Sequence, residues 1–340
     1  MKTLWLVLLL LMFPLMVSAE VVETTGDLRA LIADIAANLD QGQVAGPGSE
    51  ALSIPTATQR ARWRAALDAV LAGDLAAADQ ALATLAPSYK VVQFTDQTDG
   101  GLYYLLMEAR VTDPLTPVVE KGWGTYIINP YALRALSIQV PHAIFDADTE
   151  TQGIEVFLQL GAQSFLLAGA HRCANTDFST CSGTTMACSR PTSTRYRVSD
   201  VAHNVSTIFH QTHEEIMTVV PETVAIQLHG EGTSSGCRDV LISNTNSDYT
   251  VAAGGNVRRL AGNIDATGGL SIAVCAPRPS SCDLCGTTNV QGRFTNGSSI
   301  PCTRLARSDG EQFIHIEQSG RFRRNFTQRL IDALDQTFPY

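Results

Sequence analysis

Between residues 137 and 336 the chain alternates short β-prone runs with segments of helical period. SIQV (137–140) leads to TQGIEVFLQLGA, and SFLLAGA (164–170) to VAHNVSTIFHQTHEEIM. TVAIQL (223–228), DVLIS (239–243), LSIAVC (270–275) and QFIHIE (312–317) follow, and RRNFTQRLIDAL lies within a last helix over 321–336. Upstream, YKVVQF and GLYYLLMEARV flank a turn at Asp99-Gly100-Gly101 as an antiparallel hairpin, and GWGTYIIN (122–129) adds another strand. Strands that alternate with helices pack as one sheet covered on both faces, and its ligand-binding residues collect where strands end. The expected fold is therefore α/β, a mixed sheet sandwiched by helices. No internal repeat is seen.

The region before the hairpin is different. TTGDLRALIADIAANLD and TQRARWRAALDAVLAGDLAAADQALATL carry apolar residues at helical spacing, with a Gly/Pro-rich loop between them. Residues 20–87 form a helical N-terminal region without histidine or cysteine, suited to packing against or covering a main domain at 88–340. Residues 1–19 have one charge, Lys2, then an apolar run and Val17-Ser18-Ala19 at the end, the pattern of a cleaved signal peptide. All eight cysteines lie at or beyond residue 173. In an exported chain they are expected to pair and to staple the long loops 173–199 and 276–310. Cys282-Asp-Leu-Cys285 could suggest a redox pair or half a zinc knuckle, but it lacks both a strand–CxxC–helix setting and a second CxxC. The expected location is secreted or periplasmic, with no integral membrane segment after signal removal. A net charge of −9 without basic runs argues against nucleic acid and anionic membranes as partners.

Three strand ends carry the chemistry. His142 follows SIQVP and is followed by Asp146, Asp148 and Glu150; His229-Gly230 follows TVAIQL; Glu317 ends QFIHIE. A catalytic zinc needs two or three nitrogen or carboxylate ligands and an open position, and a separate carboxylate must then move the proton of the attacking water. His142, Asp146 and His229 are the candidate ligands and Glu317 the candidate base. The plainer alternative is a polar turn, with Asp148 or Thr149 capping the next helix and Glu150 in its first turn.

His142-x3-Asp146-x2-Thr149 after one strand, His229-Gly230 after a second and Ile-Glu317 in a late strand resemble the zinc carboxypeptidase-like superfamily. The nearest branches are the phage-type poly-γ-glutamate hydrolases and the N-formylglutamate amidohydrolases. The resemblance spans about residues 120–337 and rests on short motifs. It implies a zinc-dependent hydrolase of an amide bond in a peptide or N-acyl amino acid bearing a carboxylate. The acid spacing departs from both the polyglutamate hydrolases and the HxxE carboxypeptidases. The ligand among Asp146, Asp148 and Glu150 therefore stays open, with Asp146 the best match. Ala-Ile-Phe replaces the Gly-rich stretch of the polyglutamate hydrolases, so their specificity does not carry over.

In LLAGAHRCAN, Arg172 offers a fork for a substrate carboxylate and Asn175 a polar contact, as anchoring residues do in carboxypeptidase-like enzymes; the alternative for Arg172 is a pair with a nearby Asp such as Asp177. His203 is expected to border the site, while His210 and His213 read as solvated or structural; His315 shares a strand face with Glu317 and could approach the site, but reads first as a satisfied sheet histidine. A reading from another class remains, an exported disulfide-stapled binding or surface-interaction protein that keeps the fold without activity. Cysteines that can all pair leave no cysteine nucleophile.

Overall fold

The structure, a computed structural model, describes residues 21–340 apart from 41–44, 84, 86–88, 111–112, 233–236, 278–281 and 309. The expected signal peptide lies outside the described residues. The strands are β1 (Val22–Gly26), β2 (Tyr89–Asp96), β3 (Leu102–Arg110), β4 (Asp113–Pro117), β5 (Thr125–Ile128), β6 (Arg134–Val140), β7 (Ala162–Leu167), β8 (Thr184–Thr185), β9 (Thr194–Arg195), β10 (Val224–Glu231), β11 (Val240–Ser243), β12 (Ile272–Val274) and β13 (Phe313–Ser319). The helices are α1 (Leu28–Asp40), α2 (Ala57–Leu71), α3 (Leu75–Ala83), α4 (Thr149–Leu160), α5 (Ile208–Val219), α6 (Asn256–Asp265), α7 (Val290–Thr295), α8 (Gly320–Asn325) and α9 (Thr327–Thr337).

Among the described residues, eleven strands form one mixed sheet in the order β1-β2-β3-β5-β7-β6-β10-β13-β11-β12, with β4 on β3. The α/β expectation holds. On one side α9 packs against both α4 and α6, with α1 against α4, while α2, α3, α5 and α7 form a separate group on the other. At the centre, β7, β6, β10 and β13 are neighbours and all parallel. Their carboxyl ends therefore open on the same edge, which brings His142, the segment to Arg172, His229 and Glu317 together.

Local sequence explains the packing beneath that edge. Helix α4 buries Thr149, Gln152, Gly153, Val156, Phe157 and Leu160, a stripe at helical spacing. A Cβ at Gly153 would lie 2.8 Å from Val140 and 2.9 Å from Phe165, so the glycine lets α4 sit close on the sheet. Gly161, left-handed at φ 56°, ends the helix.

Two expectations change. The helix expected from Val201 is a 3-10 turn at Val201–His203, an extended Asn204, and then α5, whose N-cap Thr207 accepts the His210 N–H. The N-terminal region also supplies a strand, β1, parallel to β2. Its helices share one apolar core with the sheet, in which Leu28, Trp63 and Leu67 join Ile138 and Phe165. Trp63 Nε1 donates to Thr212 Oγ1 of α5 at 2.9 Å. Residues 45–50 run along 171–174, with backbone bonds from His171 to Ala45, Gly48 to Cys173 and Glu50 to Ala174.

The eight cysteines form Cys173–Cys188, Cys181–Cys302, Cys237–Cys282 and Cys275–Cys285. Cys282 and Cys285 thus pair outward, and the two long loops are cross-linked. No helix among the described residues is long and apolar enough to cross a membrane.

Candidate metal centre

The HAIFD segment makes a compact turn after β6. The Asp146 N–H donates to the His142 carbonyl at 2.9 Å, and the Thr149 hydroxyl donates to the Asp146 carbonyl at 2.7 Å. Ile144 is left-handed at φ 60°. Arg323 Nε holds the far side of the turn through the Ala147 carbonyl at 2.7 Å. The Asp146 carboxylate consequently folds back beside the His142 ring. Asp148 takes the N-cap position of α4 but has a left-handed backbone at φ 73° and no side-chain cap bond; its carboxylate faces Arg324 at 3.3 Å. Glu150 lies in the first turn of α4.

His229 lies within β10, which continues through Gly230 to Glu231, so Gly230 makes no turn. The glycine serves a different end: a Cβ there would collide with the Arg323 guanidinium. The registers pair His229 with Glu317 and Gln227 with His315 across β10 and β13.

Three donor atoms converge. His142 Nδ1 lies 3.1 Å from Asp146 Oδ2 and 3.1 Å from His229 Nδ1, and His229 Nδ1 lies 3.5 Å from Asp146 Oδ2. Ligand atoms about 2.0–2.1 Å from a tetrahedral zinc stand about 3.3–3.4 Å apart, so this triangle has the size of one face of such a site. The opposite nitrogens are engaged elsewhere. His142 Nε2 faces Asp200 Oδ1 at 3.0 Å, and His229 Nε2 faces Gln227 Oε1 at 2.8 Å. With acceptors at both Nε2 atoms, the Nδ1 lone pairs of the neutral rings face each other and a carboxylate, with Arg172 Nη1 3.3 Å from that of His142, a donor set suited to a cation between them. All three residues are buried, at 2–3 % exposure. The donor set therefore fits a divalent metal.

The charges are arranged accordingly. Burial raises the Asp146 carboxyl, but His142 and His229 outweigh it and hold it well below the usual carboxylate range. Burial, with His142 beside it, lowers His229 to about 4 despite its contact with Asp146. Burial and Arg172 lower the His142 imidazole, yet Asp200 and Asp146 prevail and leave it raised. Burial would also raise Asp200, and Arg172, His203 and His142 overcome it and keep Asp200 ionised.

Glu317 is buried and makes, among the described residues, one close polar contact, to His315 Nε2 at 3.6 Å. Burial, then the charge of Asp146, pushes its carboxyl well above the ordinary value. One of its oxygens lies within 4.8 Å of ring nitrogens of His229 and His315. His315, on the same strand face as Glu317, is buried with its ring 4.4 Å from that of His229. Asp146, His229, Glu317, Arg172 and Phe145 line a cavity of about 630 Å³, walled further out by the 185–191 loop.

Arg172 pairs with an aspartate, but with Asp200 rather than Asp177: Nε lies 3.0 Å from Oδ2 and Nη2 also bonds it, while Nη1 lies 3.3 Å from His142 Nδ1. His203 donates from Nδ1 to Asp200 Oδ1 at 2.8 Å and stacks on Tyr196 at 3.6 Å. It sits behind His142, 6.4 Å between rings, and does not line the cavity. Asn175 is occupied elsewhere, accepting from Leu52 N–H and donating to the Leu52 carbonyl and Glu50. Asp200, His142 and His203 form a second cluster of potential donors, but Arg172 already supplies that carboxylate with a cation.

Asp200, Gln227 and Arg323 are the site residues that the sequence reading missed. Gln227 had a signal, since it shares a strand face with His229 two residues on. Asp200 had none, because an aspartate before a helix ordinarily reads as a cap.

No family model and no curated protein matches the sequence. Two solved structures are similar, candidate metallopeptidases from Shewanella amazonensis and Shewanella denitrificans. Both are 11 % identical with a TM-score of 0.31; the first match covers 83 % of this chain and 95 % of that one, the second 82 % and 90 %. Likenesses at that distance assign no family.

Proposed function

We propose that the protein is an exported, zinc-dependent hydrolase that cleaves an amide bond in a small peptide or N-acyl amino acid carrying a carboxylate. The observation that supports this best is the convergence of His142 Nδ1, His229 Nδ1 and Asp146 Oδ2 at 3.1–3.5 Å, with both outer nitrogens occupied. Bound there, zinc would polarise a carbonyl and bring the pKa of water near to about 7.

Glu317, on the strand next to His229 and facing the same cavity, would take the proton of the attacking water and return it to the leaving nitrogen. Water and amide thus become carboxylate and amine. Arg172 is committed to Asp200 through Nε and Nη2, so its part would be to set positive charge at the cavity wall beside the scissile carbonyl. His203 would steady Asp200 from behind. A disulfide-stapled binding protein would have no use for a buried carboxylate beside three metal donors.

Zinc-loaded protein offered N-acyl amino acids and dipeptides, with and without a free carboxylate, should release amine from the carboxylate-bearing members. Zinc-loaded protein that hydrolyses neither set would contradict the reading.

A further inference from the structure

A buried chain of amides runs from the metal donors to the helix beneath them. It begins at a backbone N–H, whose role as donor is not open to choice. The Gly292 N–H donates to Asn289 Oδ1 at 2.9 Å, the N-cap bond of α7. Asn289 must therefore present its Nδ2 on the other side, and Nδ2 donates to Gln227 Oε1. With oxygen at that place, the Gln227 amide nitrogen faces Gln139 Oε1 at 3.1 Å. Gln139 Nε2 in turn reaches Ser137 Oγ at 3.1 Å and His213 Nδ1 at 2.9 Å. His213 Nε2 is left to donate to Thr295 Oγ1 at 3.0 Å. Each amide is buried and has one orientation that satisfies both neighbours.

That orientation has a consequence at the metal donors. Gln227 Oε1 is also the atom 2.8 Å from His229 Nε2. An oxygen can only accept, so His229 Nε2 carries the proton and Nδ1 the lone pair. We propose that Asn289, acting through Gln227, fixes His229 in the Nε2–H form and so selects Nδ1 as its metal-binding atom. Gln227 and Asn289 are positioning residues, since neither faces the cavity. The inference rests on the reading of His142, Asp146 and His229 as metal ligands.

Asn289→Asp tests it with almost no change of shape. Aspartate caps a helix as well as asparagine, so the Gly292 bond survives. Its second oxygen, however, accepts where Nδ2 donated. The Gln227 amide must turn over, and its nitrogen then meets His229 Nε2 and drives the proton to Nδ1. Nitrogen-15 histidine spectra of the metal-free protein, assigned with His229→Ala, should show Nε2–H at His229 in the wild type and Nδ1–H in the variant. Zinc affinity by chelator competition should fall about 10- to 100-fold, the usual effect of losing a partner that orients a ligand. Gln227→Met should weaken zinc similarly by removing the acceptor. Wild-type protein with Nδ1–H at His229 would overturn the proposal, as would Asn289→Asp with an unaltered tautomer and affinity. Should the variants not fold, the wild-type spectrum alone decides. Should the wild type bind no zinc, the metal reading fails while the tautomer still judges this one.

Discussion

His142 and Asp200, 58 residues apart in the chain, meet with Nε2 and Oδ1 3.0 Å from each other, and Arg172 occupies the other oxygen of the same carboxylate. A carboxylate behind a ligand histidine fixes the ring and raises its basicity. Asp200→Asn should therefore weaken zinc binding about 10- to 100-fold while leaving Asp146 and His229 in place. Chelator competition measures this, and unchanged affinity would remove Asp200 from the site.

Glu317 and the metal donors are separable. Glu317→Gln keeps the shape of the side chain and removes its basicity. Zinc content should stay at the wild-type level while kcat falls by about 10²- to 10⁴-fold, the range for loss of a general base. A variant that loses its zinc instead would make Glu317 a ligand.

Asn175 distinguishes a structural from a substrate contact. Its amide joins Leu52 and Glu50 of the N-terminal region to the segment carrying Arg172. Asn175→Ala leaves the buried Leu52 groups without a partner and should cost about 1–3 kcal/mol of stability. KM should change little at a temperature where the variant is folded. A large rise in KM with unchanged stability would instead place Asn175 against substrate.

Stability should also depend on pH through a residue far from the metal donors. Glu108 of β3 is buried, and burial pushes its carboxyl up to about 7, even though Glu120 and Lys121 N–H groups donate to it at 2.9 and 2.8 Å. A folded-state value above the ordinary one means the fold binds the proton more tightly. The contribution is complete below about pH 4.5 and is lost as pH rises through about 7. Its size is on the order of 3 kcal/mol. Denaturation of Glu108→Gln should lack this part of the pH dependence, and parallel wild-type and variant curves would contradict it.

Much of this architecture is legible in the sequence because β6, β10 and β13 each announce themselves. Ile138 and Val140, Ile226 and Leu228, and Ile314 and Ile316 are the apolar halves of alternating strands, and His229 and Glu317 stand on the opposite faces. Their being neighbours is not legible, since strand order depends on which helices cover which face. The turn that folds Asp146 onto His142 depends on a left-handed Ile144, a conformation that nothing in Ala-Ile-Phe announces. Asp200 is placed by loops whose course is set by cross-links such as Cys173–Cys188, and pairing of eight cysteines cannot be read from spacing. For the same reason proximity in the chain offers Asp177 as the alternative partner of Arg172, whereas the fold brings Asp200 to it.

The most direct test of the metal assignment is the metal content of protein purified without chelator, measured with its zinc dissociation constant for the wild type and for His142→Ala, Asp146→Ala and His229→Ala. The account predicts one zinc per wild-type chain and loss of that zinc in each of the three variants. Folded wild-type protein that takes up no stoichiometric divalent metal, or variants that retain it, would contradict the account.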